Sequence, residues 1–230
     1  MSDSLFDIVL AIDTSSPECK LALSFGSDRI VASRERVDRS HGQVLIKKID
    51  ELFQSAGVRK DDLQAVIACT GPGSFTGLRI GLAAAKGIAV ALNIPVAGVS
   101  LFDVAACKLR HADRTVHVII GLNRDECFLA PIREGSYSMD TVRVVHYDHL
   151  AGSADTASLI CLGSETDAHI DQLALRNFEP SYLDYDASDV LHLGRLKLQT
   201  GRPDDLALLE PLYLQKSQAE LRYERRHRQQ

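Results

Sequence analysis

The sequence has 230 residues, 45% of them hydrophobic and 25% charged, with a formal net charge of −5. That length suits one large domain or two small ones, and the composition is that of a globular chain rather than a fibrous or disordered one. The acidic balance excludes a protein that binds nucleic acid over its whole surface.

In chain order, Ile8-Val9-Leu10-Ala11-Ile12 is a continuous apolar run, as expected for a central strand buried on both faces. It ends in a polar turn, Asp13-Thr14-Ser15-Ser16-Pro17. Cys19 to Phe25 alternates and predicts a half-buried strand, Gly26-Ser27-Asp28 a hairpin turn, and Arg29 to Glu35 a third strand. A three-strand meander with Asp-Thr-Ser after its first strand resembles the opening of one half of an actin-like or Hsp70-like nucleotide-binding fold. Asp13 in that fold faces phosphate and metal. By its own chemistry it is equally a turn residue whose side chain bonds the local backbone.

Arg39-Ser40-His41-Gly42 precedes an amphipathic helix with Leu45, Ile49, Leu52, Phe53 and Ala56 on one face, and Gly57 ends it. Leu63 to Cys69 is the next strand. It runs into Thr70-Gly71-Pro72-Gly73-Ser74-Phe75-Thr76-Gly77-Leu78-Arg79-Ile80-Gly81 and a helix from Leu78 to Leu92. Strand, glycine-rich turn and helix N-terminus together make a natural anion site. The loop lacks the Gly-Lys-Ser/Thr of a Walker A motif, and Thr76 stands where a dinucleotide fingerprint needs its third glycine. A tight turn with close helix packing competes evenly with phosphate binding. The helix carries an apolar stripe, Leu78, Leu82, Ala85, Ala89 and Leu92. A second stripe of mostly small residues, Gly77, Gly81, Ala84, Ile88 and Ala91, runs beside it. Glycine inside a helix is costly, so Gly81 and Gly87 predict a close neighbour, either a strand or another subunit.

Pro95 to Val99 is a short parallel strand, and Ser100 caps a helix from Leu101 to His111 with Asp103 in its first turn. The second half begins again. It has strands at Thr115–Leu122, Glu126–Ile132 and Ser138–His146, a helical stretch near Tyr147–Gly152, and a strand at Ala157–Leu162. Helices follow at Asp167–Asn177 and Asp189–Thr200. The element order repeats while the sequence does not, which predicts two lobes, 1–111 and 112–230, from an old duplication.

The five cysteines are scattered and form no Cys-x-x-Cys pair. That argues against disulfides and a zinc knuckle and for small buried hydrophobes in a reducing compartment. The acidic N-terminus has no basic signal-peptide start, and Arg79 and Lys86 interrupt the most apolar helix. The expectation is a cytoplasmic protein without a membrane span.

Five stretches together resemble the TsaB family, formerly called YeaZ. They are Leu10 to Ser15, Ser40-His41 opening a helix, Gly71 to Gly81, Ala85-Lys86-Gly87, and Pro95 to Ser100. The likeness is strongest in the first lobe. Beyond it, Glu210-Pro211-Leu212-Tyr213-Leu214 is similar to the family's C-terminal Pro-x-Tyr-Leu-Arg, with Gln215 in place of the arginine. The resemblance implies a two-lobed α/β fold of the actin-like ATPase superfamily, with mixed sheets flanked by helices. It also implies a non-catalytic role in threonylcarbamoylation of adenosine 37 of tRNA. The partners would be a TsaD-like transferase and a TsaE-like ATPase, with tRNA reached through the complex and a homodimer when alone. TsaD carries a metal-binding His-x-x-x-His after the strand that matches Pro95 to Val99. Leu101 and Ala105 stand at those positions here, so no metal and no cofactor are expected. Asn123 stands where relatives often carry an aspartate.

The competing reading is a nucleotide-binding hydrolase of the same superfamily, built on a weak site of Asp13, Thr14, Gly71, Gly73, Ser74 and Gly77. A metallopeptidase lacks its ligands. The basic tail, Lys216, Arg222, Arg225, Arg226 and Arg228, reads as a frayed end rather than a tRNA contact. The expected partner interface is Leu45, Ile49 and Phe53 on the first helix with Gly81, Ala84 and Ile88 on the second.

Overall fold

The computed structural model describes residues 6–26, 29–37, 41–123, 125–150, 158–163 and 181–213. They form two five-stranded mixed sheets flanked by helices. In the first, β1 (Val9–Asp13), β2 (Glu18–Phe25) and β3 (Arg29–Arg36) make an antiparallel meander. β4 (Ala65–Gly71) and β5 (Val96–Ser100) add in parallel on the other side of β1, giving the order β3-β2-β1-β4-β5. The second sheet repeats this strand for strand. β6 (Val116–Gly121), β7 (Glu126–Ile132) and β8 (Arg143–His146) form its meander. β9 (Leu159–Leu162) and β10 (Ser181–Leu183) are its parallel additions. The repeat of element order read from the sequence is therefore a repeat of topology, and it is the two-lobed arrangement that the actin-like resemblance implied.

β1 and β4 are buried on both faces, as their uninterrupted apolar runs predict. On one face, Leu10, Ile12, Val66 and Ala68 pack under α1 (His41–Ala56) and α2 (Phe75–Leu92). On the other, Val9, Ala11, Ala65 and Ile67 share a core with α3 (Leu101–Lys108), with α4 (Ala187–Gln199) and with Val118, Ile120 and Phe128 of the second sheet. Ser100 caps α3 through a reciprocal bond pair with Asp103. α2 is long and apolar enough to cross a membrane by composition, but Leu78, Leu82, Ala85 and Ala89 face the sheet as a core helix does.

Three expectations change. First, the division at residues 111/112 places α4 in the second lobe, yet it lies on the first sheet. A side chain at Gly194 would run into Ile67 of β4. The chain then runs along the β5 edge, where Asp204 N–H donates to the Val96 carbonyl and Gly98 N–H to Asp204 Oδ2. A helical apolar stripe announces a buried face without naming the sheet that covers it. Second, the strand expected from Ser138 begins only at Arg143, after a 3-10 turn at Met139–Thr141. Of the helix expected at Tyr147–Gly152, Tyr147–His149 form a 3-10 turn and Leu150 is helical, and the last two residues lie outside the described ones. Third, β10 has only three residues and left no periodic signal. The helix expected at Asp167–Asn177 and the basic tail lie outside the described residues.

Candidate functional site

The sequence pointed to the turn after β1 and the glycine loop before α2. The fold brings them together, and they pack on each other. Ser74 N–H donates to the Ser15 carbonyl at 2.6 Å, and Thr14 Oγ1 donates to the Gly77 carbonyl at 2.7 Å. Ser74 Oγ accepts from Gly77 N–H, as an N-cap does. A methyl group added at Gly73 would overlap the Ser15 carbonyl, at Gly77 the Thr14 carbonyl, and at Gly81 the Thr14 hydroxyl. Gly71 sits at φ +94°, against Leu78. The glycines thus let one backbone approach another, and the N–H groups of Gly71, Ser74 and Gly77 are already spent inside the chain.

Asp13, Thr14 and Ser15 are buried, at 1%, 2% and 4% exposure. Asp13 Oδ1 accepts from Ser15 N–H at 2.8 Å, the local turn bond that its chemistry allowed. Oδ2 accepts from the Tyr185 hydroxyl at 3.0 Å, and Ser15 Oγ lies 3.3 Å from the same hydroxyl. Burial, with Asp13 adding to it, holds the Tyr185 phenol well above its ordinary value and the Cys69 thiol likewise. The expected weak nucleotide site of Asp13, Thr14, Gly71, Gly73, Ser74 and Gly77 is, in this conformation, a closed structural joint. Asn123, the second-lobe counterpart, is engaged in its own turn, accepting from Asp125 and Glu126 N–H.

The expected partner surface needs correction residue by residue. Leu45, Ile49 and Phe53 are 1%, 5% and 2% exposed and form the core beneath α1. Gly81 is buried against Thr14. Ala84 and Ile88 are half-buried, and beyond Arg79 the exposed positions of α2 are Ala83, Gly87, Val90 and Ala91. Nothing lies within 4 Å of a Cβ built at Gly87, so that glycine has no neighbour in the described chain. Ile46 is 54% and Val90 65% exposed. Between α1 and α2 runs a groove of about 300 Å³ whose walls include Ile46, Phe53, Ile88 and Ala91. Helical periodicity separates a buried from an exposed face but cannot say which apolar residues the sheet claims.

At the start of α2, Arg79 Nε donates to the Tyr213 hydroxyl at 2.9 Å, and its guanidinium lies 3.9 Å from the Phe75 ring centroid. The late Glu210 to Tyr213 stretch is thereby tied to the glycine-loop helix. Leu101 and Ala105, at the positions of the transferase histidines, are 3% and 0% exposed within the apolar core. Among the described residues no three His, Cys, Asp or Glu side chains are grouped to hold a metal ion.

Residues 31–174, more than half of the chain, match the family model described as "TsaD: tRNA N6-adenosine threonylcarbamoyltransferase". TsaB of Haemophilus influenzae is 31% identical over 129 residues, 55% of this chain and 54% of that protein. A crystal structure of a Pseudomonas aeruginosa protein described as similar to YeaZ superposes with a TM-score of 0.70 at 26% identity. That superposition covers 91% of this chain and all of the other. The chain belongs to the TsaD/TsaB (YeaZ) family. TsaB of Escherichia coli is 36% identical over 92 residues, 40% of this chain and 39% of that protein. The chain spans about half the length of the curated relatives it matches.

The surroundings of the Asp13 turn also contain residues to which the sequence did not point: Lys20, Arg34, Asp184 and Tyr185. Lys20 and Arg34 looked like ordinary members of alternating strands. Tyr185 lies 172 positions from Asp13, a separation that no local pattern spans.

Proposed function

We propose that this chain is the non-catalytic member of a tRNA N6-threonylcarbamoyladenosine-forming complex, acting as a scaffold for a TsaD-like transferase. The observation that carries the reading is the burial of Leu101 and Ala105 in the apolar core. A metal pair there would require two buried histidines with hydrogen-bonded supports, and both positions lie in a cluster of apolar side chains. The relatives named TsaB supply the pathway. The partner surface is the α1–α2 groove, with Ile46, Ile88 and Ala91 in its walls, and the open Gly87 lies one turn before Ala91 on α2. A helix of similar shape, from a second copy or from the transferase, would lie close against it. The two assemblies would then compete. A TsaE-like ATPase joins the complex, tRNA is bound through it, and the work is cytoplasmic.

The test is reconstitution. A TsaD-like transferase, a TsaE-like ATPase, threonylcarbamoyl-AMP and tRNA are combined with and without this chain. Modification is expected only with it, and Gly87→Arg is expected to abolish both pairing and modification while leaving the circular dichroism spectrum unchanged. Full modification without the chain refutes the scaffold reading. A folded Gly87→Arg that still binds the transferase at wild-type affinity places the interface elsewhere.

A further inference from the structure

Where the chain after α4 reaches the start of α2, two exposed aromatic rings enclose a cation. Phe75 is 40% and Tyr213 43% exposed, and their ring centroids lie 5.5 Å apart. The Arg79 guanidinium sits 3.9 Å from the centroid of the first and 5.7 Å from that of the second. Its Nε donates to the Tyr213 hydroxyl at 2.9 Å, which holds the guanidinium in place and spends one of its five N–H donors. Leu212 N–H donates to the Thr70 carbonyl at 2.8 Å, so the segment that carries Tyr213 is tied to the end of β4.

Lys86 follows Arg79 by seven residues, about two helical turns, and so leaves α2 on the same side. Both line a groove of about 320 Å³ whose other wall is Leu209, Glu210, Pro211 and Tyr213. This groove shares no lining residue with the one between α1 and α2, so it is a second surface on the same helix. Glu210 is its one carboxylate. It is exposed, and among the described residues no ion pair joins it to Arg79 or Lys86.

From Tyr213 the chain continues into residues 214–230, which hold Lys216, Arg222, Arg225, Arg226 and Arg228 against Glu220 and Glu224. The whole chain is at −5, so positive charge is concentrated here. By sequence alone this tail is a frayed end. The fold adds its point of departure, which is the Arg79 cluster.

Rings kept open to water beside a guanidinium stack on nucleobases, because every base offers a π face and the planar guanidinium stacks as a ring does. The remaining Arg79 donors and the Lys86 ammonium meet phosphates. An acidic protein segment would satisfy the cations but not the rings.

We infer that this flank of α2, with the basic tail rooted at Tyr213, binds a single strand of RNA. A base stacks on the Phe75–Arg79–Tyr213 cluster, and phosphates meet Arg79, Lys86 and the tail. That the RNA is tRNA rests on the scaffold reading; the binding itself does not. The strand lies beside the partner groove without occupying it.

The experiment uses the full chain by itself. A fluorescent, unstructured oligoribonucleotide and a tRNA transcript are the probes, and anisotropy is read across a salt series. Wild type should bind both, with affinity falling as salt rises. Each single-strand phosphate contact contributes about 0.7 to the slope of log affinity against log salt. Arg79→Gln with Lys86→Gln should therefore flatten the slope by about 1.4 and weaken low-salt binding at least about tenfold. Phe75→Leu should weaken binding at least about fivefold at unchanged slope, which loss of an ionic contact does not do. Arg79→Lys, a gentler change that keeps the charge and removes the planar fork, should also weaken binding at unchanged slope. Circular dichroism reports the fold of each variant. A wild-type chain that binds neither probe overturns the inference. So does a loss confined to Gln substitutions at Arg222, Arg225, Arg226 and Arg228, with Phe75, Arg79 and Lys86 silent, since the tail is then a plain polycation. Competition by poly-glutamate as strong as by the oligoribonucleotide identifies an acidic protein partner and overturns it too. The scaffold reading stands or falls separately, on reconstitution with the transferase.

Discussion

The packing role assigned to the glycine loop makes Gly81→Ala a decisive substitution. In most exposed helices this change is stabilising by about 1 kcal/mol, because alanine is the better helix former. Here the added methyl would occupy the place of Thr14 Oγ1. Thr14 is 2% exposed, and that hydroxyl donates to the Gly77 carbonyl at 2.7 Å. Turning it away leaves a buried donor and acceptor unmatched, at about 1–3 kcal/mol. Forcing a methyl into a closed joint adds about 1–3 kcal/mol. Less the helical benefit, the net destabilisation is about 3 kcal/mol. For a chain of this size each kcal/mol moves the midpoint by about 2–4 °C, so Tm should fall by about 6–12 °C. Gly87→Ala is the matched control in the same helix, since a Cβ there meets nothing within 4 Å. It should raise Tm by about 2–4 °C. Thermal melts followed by circular dichroism, with urea titrations as a second measure, read both. If Gly81→Ala is as stable as wild type, or if the two substitutions move Tm in the same direction, the joint is not as tight as described.

Burial pushes the Cys127 and Cys161 thiols up to about 12, the Cys19 thiol up to about 11 and the Tyr137 phenol up to about 12. Each keeps its proton longer folded than unfolded, so its contribution is full below about pH 9, where free thiols titrate, and fades as pH rises through 11–12. Urea midpoints should therefore be flat up to pH 8 and fall steadily from pH 9 to 11; a midpoint that rises over that range would contradict this. Of the five cysteines only Cys107 is not buried, so a thiol reagent at pH 8 should label one group per native chain and five after unfolding, and two or more fast-reacting native thiols would count against it. Asp204→Ala removes the acceptor for Gly98 N–H at 2.7 Å and Lys197 Nζ at 2.6 Å. It should cost about 1–3 kcal/mol and speed amide exchange at Gly98 more than in β1, whereas unchanged exchange at Gly98 would show that the edge is held by other contacts.

The sequence by itself determined most elements of the first sheet and the repeat of element order. Continuous apolar runs marked β1 and β4 as strands covered on both sides, and both are. The glycine-rich turn before a helix, and the Ser100–Asp103 cap, are read from neighbours a few positions apart, which is the range over which backbone propensity and capping act. The repeated element order announced two similar sheets before their strands were paired. What the tertiary structure alone decided are the contacts between distant stretches. Gly73, Gly77 and Gly81 are as consistent with a phosphate cradle as with a close-packed joint until the Asp13 turn is seen pressed against them. Leu45 and Ile46 are adjacent and equally apolar, yet one is in the core and the other is 54% exposed, because only the sheet selects the helix face. Tyr185 reaches Asp13, and Asp184 reaches Arg34 across 150 positions. Such pairings depend on how the second sheet returns the chain to the first, and no local pattern of residues encodes that return.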